Sequence, residues 1–510
     1  MISKYKIIAL DDGFPVSLQT ALVLEMMAAR PADDHTYNIS AQWELTPGIL
    51  MPCATTLLRA MTAIASIQPA FRSTFHHNGR EWRMKVSDHA SPFSADPTAH
   101  NKAFPIQQSP MARIGIHGGP TVHNLFCEMS HVNADSSGGF GAIGAAAGLY
   151  NILRLLQPAR WLSSNFLAFA LQSNSGIQNS GKPGTTQRLI SGHFDDLMQR
   201  VTCWTYTRTL AWFRLGVHDH RDSYYVRLAA SQYEMLRSQT FHNQMGALSQ
   251  KIAHTRSWSY KMISPTESFV PGSVTAAHPI QLSTQQIDTL VAALTRQFSK
   301  DGQTPSWCTP SVIIHAVLQM VCWRLNGHAV LGRQAMEHQP PERLCMYSAQ
   351  SRLVIPAVES GMNLAQVVDG MKSGLKFQAA VDPPYVGVIP SERLVQYMVD
   401  HEMVPNQVQD VMYNVFPSKW ANPPAPFVEA LFAQKVSGSI TLGGTWYHPR
   451  LYDPKIECTV MLAGQRGIEI RISASTQLEA GVADEVREEM NQHLLALIQN
   501  PGLCFFPRSS

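Results

Sequence analysis

The sequence predicts an α/β protein built as two lobes, and three observations carry that reading. The chain has 510 residues, and single hydrophobic cores stop growing at about 250–300 residues, so a chain of this length divides. Helical and strand-like patterns alternate in both halves, the arrangement of layered α/β folds. Residues 172–187 carry almost no apolar side chain and many turn formers, which marks a surface connection. The expected division is 1–180 for the first lobe and 190–510 for the second.

Each element has a local cause. Residues 122–129 alternate loosely between apolar and polar side chains and are rich in strand formers, so they read as a strand that delivers His131 to its end. Ser136, Ser137, Gly138 and Gly139 make a turn, and residues 140–156 then show a helical pattern on Ile143, Leu149, Ile152, Leu153 and Leu156. Farther on, Ser283 starts a capping box with Gln286, and Ile287, Leu290, Val291, Leu294 and Phe298 fall on one helix face. Thr309 caps the next helix, Pro310 takes its first position and Gly327 ends it. Residues 344–355 and 409–416 are strand-like and complete the second lobe's sheet.

The segment Ser130-His131-Val132-Asn133-Ala134-Asp135-Ser136 sets a histidine and an aspartate four residues apart where strand, turn and helix meet. A histidine there suits a base, because its pKa lies near neutral pH. Structural histidines show the same spacing, and the local pattern leaves both readings open. A second His-x-x-x-Asp copy, His218 to Asp222, is charged at almost every position and reads as a solvated loop or helix end. His315 stands on an apolar helix with no titratable neighbour three or four residues away, the setting of a packed core histidine.

With its surroundings, the motif resembles the condensation domains of nonribosomal peptide synthetases and the wider superfamily of HxxxD acyltransferases. The likeness is spread along the chain. Pro15-Val16-Ser17-Leu18-Gln19 resembles the start of the family's opening helix, Tyr37-Asn38-Ile39-Ser40-Ala41 its first strand, Leu57 to Ile67 the next helix, and Ala70-Phe71-Arg72-Ser73-Thr74-Phe75 its LRTxF strand. Ser130-His131 through Asp135 stands where the family carries HHxxxDG, and Thr309 to Gly327 resembles its long buried helix. Tyr452-Asp453-Pro454-Lys455 to Ile472-Ser473, with the helix after it, resembles the closing strand pair and terminal helix.

Departures from the family pattern are specific. Ser130 replaces the first histidine, as in the SHxxxD variant of terminal condensation-like domains of fungal synthetases. Ser136 replaces the glycine after the aspartate, so the turn is made with a side chain present. Ile67-Gln68-Pro69 keeps nothing of the RHE triplet. The nearest echo of the plant-type DFGWG motif is Gly443-Gly444-Thr445-Trp446, and Leu442-Gly443-Gly444-Thr445 lacks the serine of a carrier-protein attachment site.

The resemblance implies two chloramphenicol-acetyltransferase-like lobes in a V-shaped pseudo-dimer, with His131 midway along a central substrate channel. It also implies acyl transfer from a thioester. His131 would take the proton of the attacking group, or hold that group and support the tetrahedral intermediate. Asp135 would turn away from the channel and pair with an arginine. Arg72 is the candidate, since Phe71 and Phe75 anchor its segment in the same lobe and a guanidinium grips a carboxylate with two parallel bonds. The backbone amides of Ser136, Ser137 and Gly138 suit either an oxyanion or ordinary helix capping.

The expected protein is a freestanding condensation-type acyltransferase of secondary metabolism that forms an amide bond, between two molecules or within one. Its donor is an acyl or peptidyl thioester, on coenzyme A or on the phosphopantetheine of a carrier protein in trans, and its acceptor an amine or alcohol. A coenzyme A-dependent O-acyltransferase and a catalytically silent carrier-docking domain are the competing expectations.

Composition narrows the other classes. The chain is 45% hydrophobic and 15% charged, with a net charge of +3 and no long run of Lys or Arg, so nucleic-acid binding has little support. No stretch reaches the roughly 20 apolar residues of a membrane span. The apolar run at 7–10 stops at Asp11-Asp12, far short of a signal-peptide core. The 8 cysteines are widely spaced, without a CxxC pair or a zinc-like cluster, and Cys127 and Cys322 lie in apolar strings as buried reduced thiols do. A cytoplasmic monomer with no metal and no bound cofactor is the expectation.

Overall fold

The computed structural model describes residues 13–28, 38–45, 53–87, 102–109, 111–118, 123–132, 146, 149–150, 224–263, 274–299, 303–336, 350–356, 358–379, 388–404, 409–416, 441–443, 454–462 and 467–506. Two compact units make up the chain. One comprises Met1–Ala230, Gln339–Ser348 and Asn422–Trp446, the other Ser231–His338, Ala349–Ala421 and Tyr447–Ser510. The expected connection at 172–187 and the His218–Asp222 copy lie outside the described residues.

In the first unit, helix α1 (Leu18–Ala28) starts where Ser17 Oγ accepts the Thr20 N–H at 3.2 Å, a side-chain cap at the expected place. Strands β1 (Phe14–Pro15), β3 (Ser73–His77) and β4 (Trp82–Val86) form an antiparallel sheet in the order β1-β4-β3. A second sheet has the order β12-β2-β6-β5, antiparallel throughout, from β2 (Asn38–Leu45), β5 (Ala112–Gly118), β6 (His123–Ser130) and β12 (Thr441–Gly443). β6 is therefore an interior strand, and helix α2 (Ala54–Ile67) packs against β5. Ala146, Leu149 and Tyr150, the described residues of the helix expected at 140–156, are helical and buried.

The segment after α2 departs from expectation. Pro69–Arg72 forms a short 3₁₀ helix, and strand begins only at Ser73. Pro69 accounts for the difference, because its fixed φ and missing N–H suit the first position of a helical turn and not a ladder. Phe71 and Phe75 are buried and anchor the segment on either side of that change.

Helix α3 (Tyr224–Arg237) contains the boundary between Ala230 and Ser231, and in the second unit helix α4 (Gln239–Ile252) precedes a mixed sheet. Its order is β10-β9-β11-β13-β14-β7, with β8 also paired to β14, built from β7 (Val274–Ala276), β8 (Ile280–Leu282), β9 (Gly332–Met336), β10 (Gln350–Val354), β11 (Val411–Phe416), β13 (Ile456–Leu462) and β14 (Ile468–Ser475). β11 runs parallel to both β9 and β13, and the other pairings are antiparallel. Gly467, at φ 90°, immediately precedes β14; any Cβ there would collide with the Leu282 carbonyl oxygen.

Helix α5 (Thr284–Phe298) begins with a complete capping box. The Gln286 N–H donates to Ser283 Oγ at 3.2 Å, and the Ser283 N–H to Gln286 Oε1 at 2.9 Å. Helix α6 (Pro310–Asn326) is buried without a break from Ile313 to Trp323, His315 and Gln319 included. It packs against α7 (Leu364–Ala379) and α9 (Val482–Gln499). Thr309 holds its N-cap position without a side-chain bond, so Pro310 and the left-handed Gly327, at φ 70°, define its ends.

A buried polar layer joins β9, β10, helix α8 (Ser391–Asp400) and the lead-in to β11. Arg333 Nη1 meets Glu392 Oε1 at 2.7 Å, and Ser351 Oγ bonds Glu392. Gln409 Nε2 donates to the Ser391 carbonyl at 2.7 Å, and Asp410, fully buried, accepts the Trp258 N–H at 2.7 Å. No described helix is long and apolar enough to cross a membrane.

Candidate active site

His131 follows the last residue of β6 and occupies a turn, partly exposed, between the buried residues Ser130 and Val132. The sheet dictates where that turn begins. Ser130 is opposite Asn38 of β2, and its N–H donates to the Met111 carbonyl at 2.9 Å just before β5. On the far side of the histidine, the Val132 N–H donates to Ser130 Oγ at 3.4 Å. The backbone is thus held on both sides of a partly exposed residue whose ring Nδ1 is buried.

Glu128 lies on the same face of β6 as Ser130, since side chains alternate along a strand, and it is completely buried. Arg113, opposite it on β5, places Nη1 at 2.7 Å from Oε2, while Asn38 Nδ2 donates to Oε1 at 3.0 Å. Arg113 also donates to the Lys102 and Ala103 carbonyls at 2.7 and 3.0 Å, and its guanidinium stands 3.8 Å from the centre of the Phe104 ring. Asn38 Nδ2 reaches the same Lys102 carbonyl at 2.9 Å. A buried carboxylate is costly unless paired and hydrogen-bonded, and here both oxygens are engaged. Burial pushes the neighbouring Cys127 thiol up, and the Glu128 charge adds to this, so Cys127 stays protonated and inert.

Arg72 Nη1 donates to the Ser87 carbonyl. Asp135, Ser136, Ser137 and Gly138 lie outside the described residues, and with them the expected Asp135–Arg72 pair and the turn's amides. His315 is the packed core histidine that its helix suggests. Its ring is buried and stacks on Tyr413, 4.1 Å between centres, and Gln319 Nε2 approaches its Nε2 at 3.5 Å. Burial first, then the Arg352 charge, push its pKa down to about 3, which keeps the ring neutral. Among the described residues no group of His, Cys, Asp and Glu side chains is arranged to hold a metal ion.

No model of a known protein family matches the chain, and no curated protein matches it in sequence. Solved structures do match. The first condensation domain of the calcium-dependent antibiotic synthetase, in complex with a substrate analogue, has a TM-score of 0.59 at 12% identity over 96% of this chain and 97% of its own. The chain has the condensation-domain fold. Two further structures agree. A mutant starter condensation domain of rhizomide synthetase, with C8-CoA and Leu-SNAC, gives 0.57 at 13% identity over 97% and 96% of the two chains. The X-domain from teicoplanin biosynthesis gives 0.59 at 12% over 98% of each. At such identities the shared property is the fold, and function is argued from the site.

Within this condensation-domain fold, Asn38, Arg113 and Glu128 form a cluster that no motif in the sequence announces. A signal was present: Glu128 interrupts the apolar run Phe126 to Met129, and a charge inside such a strand demands a partner. Which residues meet it depends on strand register, and register between distant segments is not written in either segment alone.

Proposed function

We propose that this chain is a condensation-type acyltransferase in which His131 assists the attack of an amine on an acyl thioester. The placement of His131 carries the reading: a partly exposed residue at the end of an interior strand, its backbone held on both sides, in a chain that shares the condensation-domain fold over 96% of its length. In the reaction the acceptor nitrogen bonds to the thioester carbonyl carbon, the carbon–sulfur bond breaks, and the thiol leaves with the proton that the nitrogen gives up. An α-amino group of pKa about 8 is largely available as the free base, so His131 chiefly orients it and supports the tetrahedral intermediate. A hydroxyl acceptor needs its proton removed, so loss of His131 harms ester formation more than amide formation.

The complex of the rhizomide starter domain with C8-CoA and Leu-SNAC supports a thioester donor, on coenzyme A or a carrier phosphopantetheine, and an amine acceptor. As balanced, the reaction calls for neither metal nor redox cofactor. The same reading assigns two chloramphenicol-acetyltransferase-like lobes, in the V-shaped pseudo-dimer that the resemblance implies, an Asp135–Arg72 pair behind the histidine, and the amides of Ser136 to Gly138 at the oxyanion. A second reading, a carrier-docking domain without turnover, draws on Ser130 and Ser136 at motif positions and on the likeness to the X-domain, which has been solved in complex with OxyB.

The test incubates the protein and its His131→Ala variant with acyl coenzyme A and carrier-bound thioesters plus amine and alcohol acceptors, with products followed by mass spectrometry. Turnover is expected to fall about 10²–10⁴-fold in the variant. Equal turnover in both removes His131 from the mechanism, and carrier binding without product supports the docking reading.

A further inference from the structure

We propose that the buried Asn38–Arg113–Glu128 cluster is a positioning group for His131; the proposal rests on the reading of His131 as the working residue. An ion pair buried this deeply contributes little net stability, because desolvation offsets its attraction and a well-packed apolar pair does as well. What such a pair does fix is register. Glu128 stands opposite Arg113 on one side of β6, and Asn38 stands opposite Ser130 on the other. Asn38 and Arg113 converge on the two oxygens of one carboxylate, so the three neighbouring strands β2, β6 and β5 are tied at the end from which His131 emerges.

A slip of β6 by one residue would turn Glu128 to the side that carries Cys127 and Met129, both buried and apolar. It would also carry His131 along by about 3.3 Å. Reactive groups tolerate far less, since a misplacement of about 1 Å costs on the order of 10²-fold in rate. Ser130 shares this polar face, opposite Asn38, and presents a small hydroxyl at the strand end.

The second unit supplies a control. Arg333 and Glu392 form a pair of the same length and similar burial, yet they join β9 to α8 and end no strand at a histidine. The variants are R113M/E128L, which removes both charges at similar volume, N38A, which keeps the ion pair, and R333M/E392L. Two readouts are taken, each beside the melting temperature. One is the rate and pH profile of His131 modification by diethyl pyrocarbonate, located by peptide mass spectrometry. The other is kcat and KM for acyl transfer from octanoyl coenzyme A to an amino acid thioester.

R113M/E128L is expected to fold, to alter His131 modification several-fold with a moved pH midpoint, and to lose about 10²-fold in kcat at unchanged KM. N38A should move both readouts in the same direction by less, which keeps the test open if the double variant does not fold. R333M/E392L should move neither. A folded R113M/E128L, or failing that N38A, with the wild-type modification profile and kcat would reduce the cluster to a structural role and overturn the proposal. If the wild-type protein transfers no acyl group, the proposed function fails, while the modification profile still decides the positioning.

Discussion

His131 and His315 are the same side chain in opposite circumstances. His315 is in the middle of a buried helix, stacked on Tyr413 and shut off from water, and its surroundings hold it neutral. His131 stands one residue past the end of an interior strand, with buried neighbours on either side while the residue itself is partly exposed. Both belong to well-packed units, so packing density does not distinguish them. The location relative to an element's end does. Inside a helix the ladder and the core claim the residue, whereas at a strand terminus a fixed backbone can present a side chain to something else.

The sharpest way to break this comparison is to exchange the phenotypes. His131→Ala is expected to lose about 10²–10⁴-fold in turnover while its melting temperature barely moves. His315→Ala should do the reverse: truncation of a large buried ring costs about 3 kcal/mol or more, with turnover per folded molecule unchanged. Thermal melts and product formation, measured on both variants, decide it. A strongly destabilised His131→Ala that keeps its turnover would invert the assignment.

How far sequence reached follows from which interactions are local. Capping at Ser283 and Gln286, the ends of α6 at Pro310 and Gly327, and the strand leading to His131 depend on residues within one turn or a few positions, and all are found as expected. The burial of His315 followed from its apolar surroundings in the helix and from the lack of a titratable side chain three or four residues away. The 3₁₀ helix at Pro69–Arg72 was missed because a run with the family's strand pattern was read past a proline that excludes it from a ladder. The Asn38–Arg113–Glu128 cluster was missed for a different reason: its members are 15 to 90 residues apart and meet only through the pairing of three strands.

His315 also sets a pH dependence. Its pKa is about 3 in the folded protein against 6.5 for an ordinary histidine. Below pH 6.5 the unfolded chain therefore binds a proton that the folded chain refuses. Stability from this site is whole above pH 6.5 and is lost as pH falls toward 3, at about 1.4 kcal/mol per unit and so about 3 kcal/mol by pH 4.5. His315→Leu removes the titration and keeps the volume. In urea unfolding at pH 7.5 and 4.5 the wild type should lose about 3 kcal/mol more than this variant. Equal losses would mean that the ring becomes protonated without leaving the core.

Asp410 acts with the opposite sign in an overlapping window. Burial raises its pKa from 3.8 to about 6, against the lowering effects of the Trp258 N–H, Lys455 and Arg333. Among the described residues its Oδ1 has no hydrogen-bond partner, so half of the carboxylate's desolvation goes uncompensated. The folded protein therefore binds a proton more readily than the unfolded chain. The favourable contribution is complete below pH 3.8 and disappears as pH rises through 6, a change of about 2–3 kcal/mol. Between pH 6 and 4, Asp410 thus returns part of what His315 removes. Asp410→Asn abolishes that return and should steepen the acid loss of stability, whereas His315→Leu flattens it. Unfolding free energies at pH 6 and pH 4 for the two variants should depart from the wild type in opposite directions, and a shared direction would show that one of the two carboxyl or imidazole groups does not titrate in its buried place.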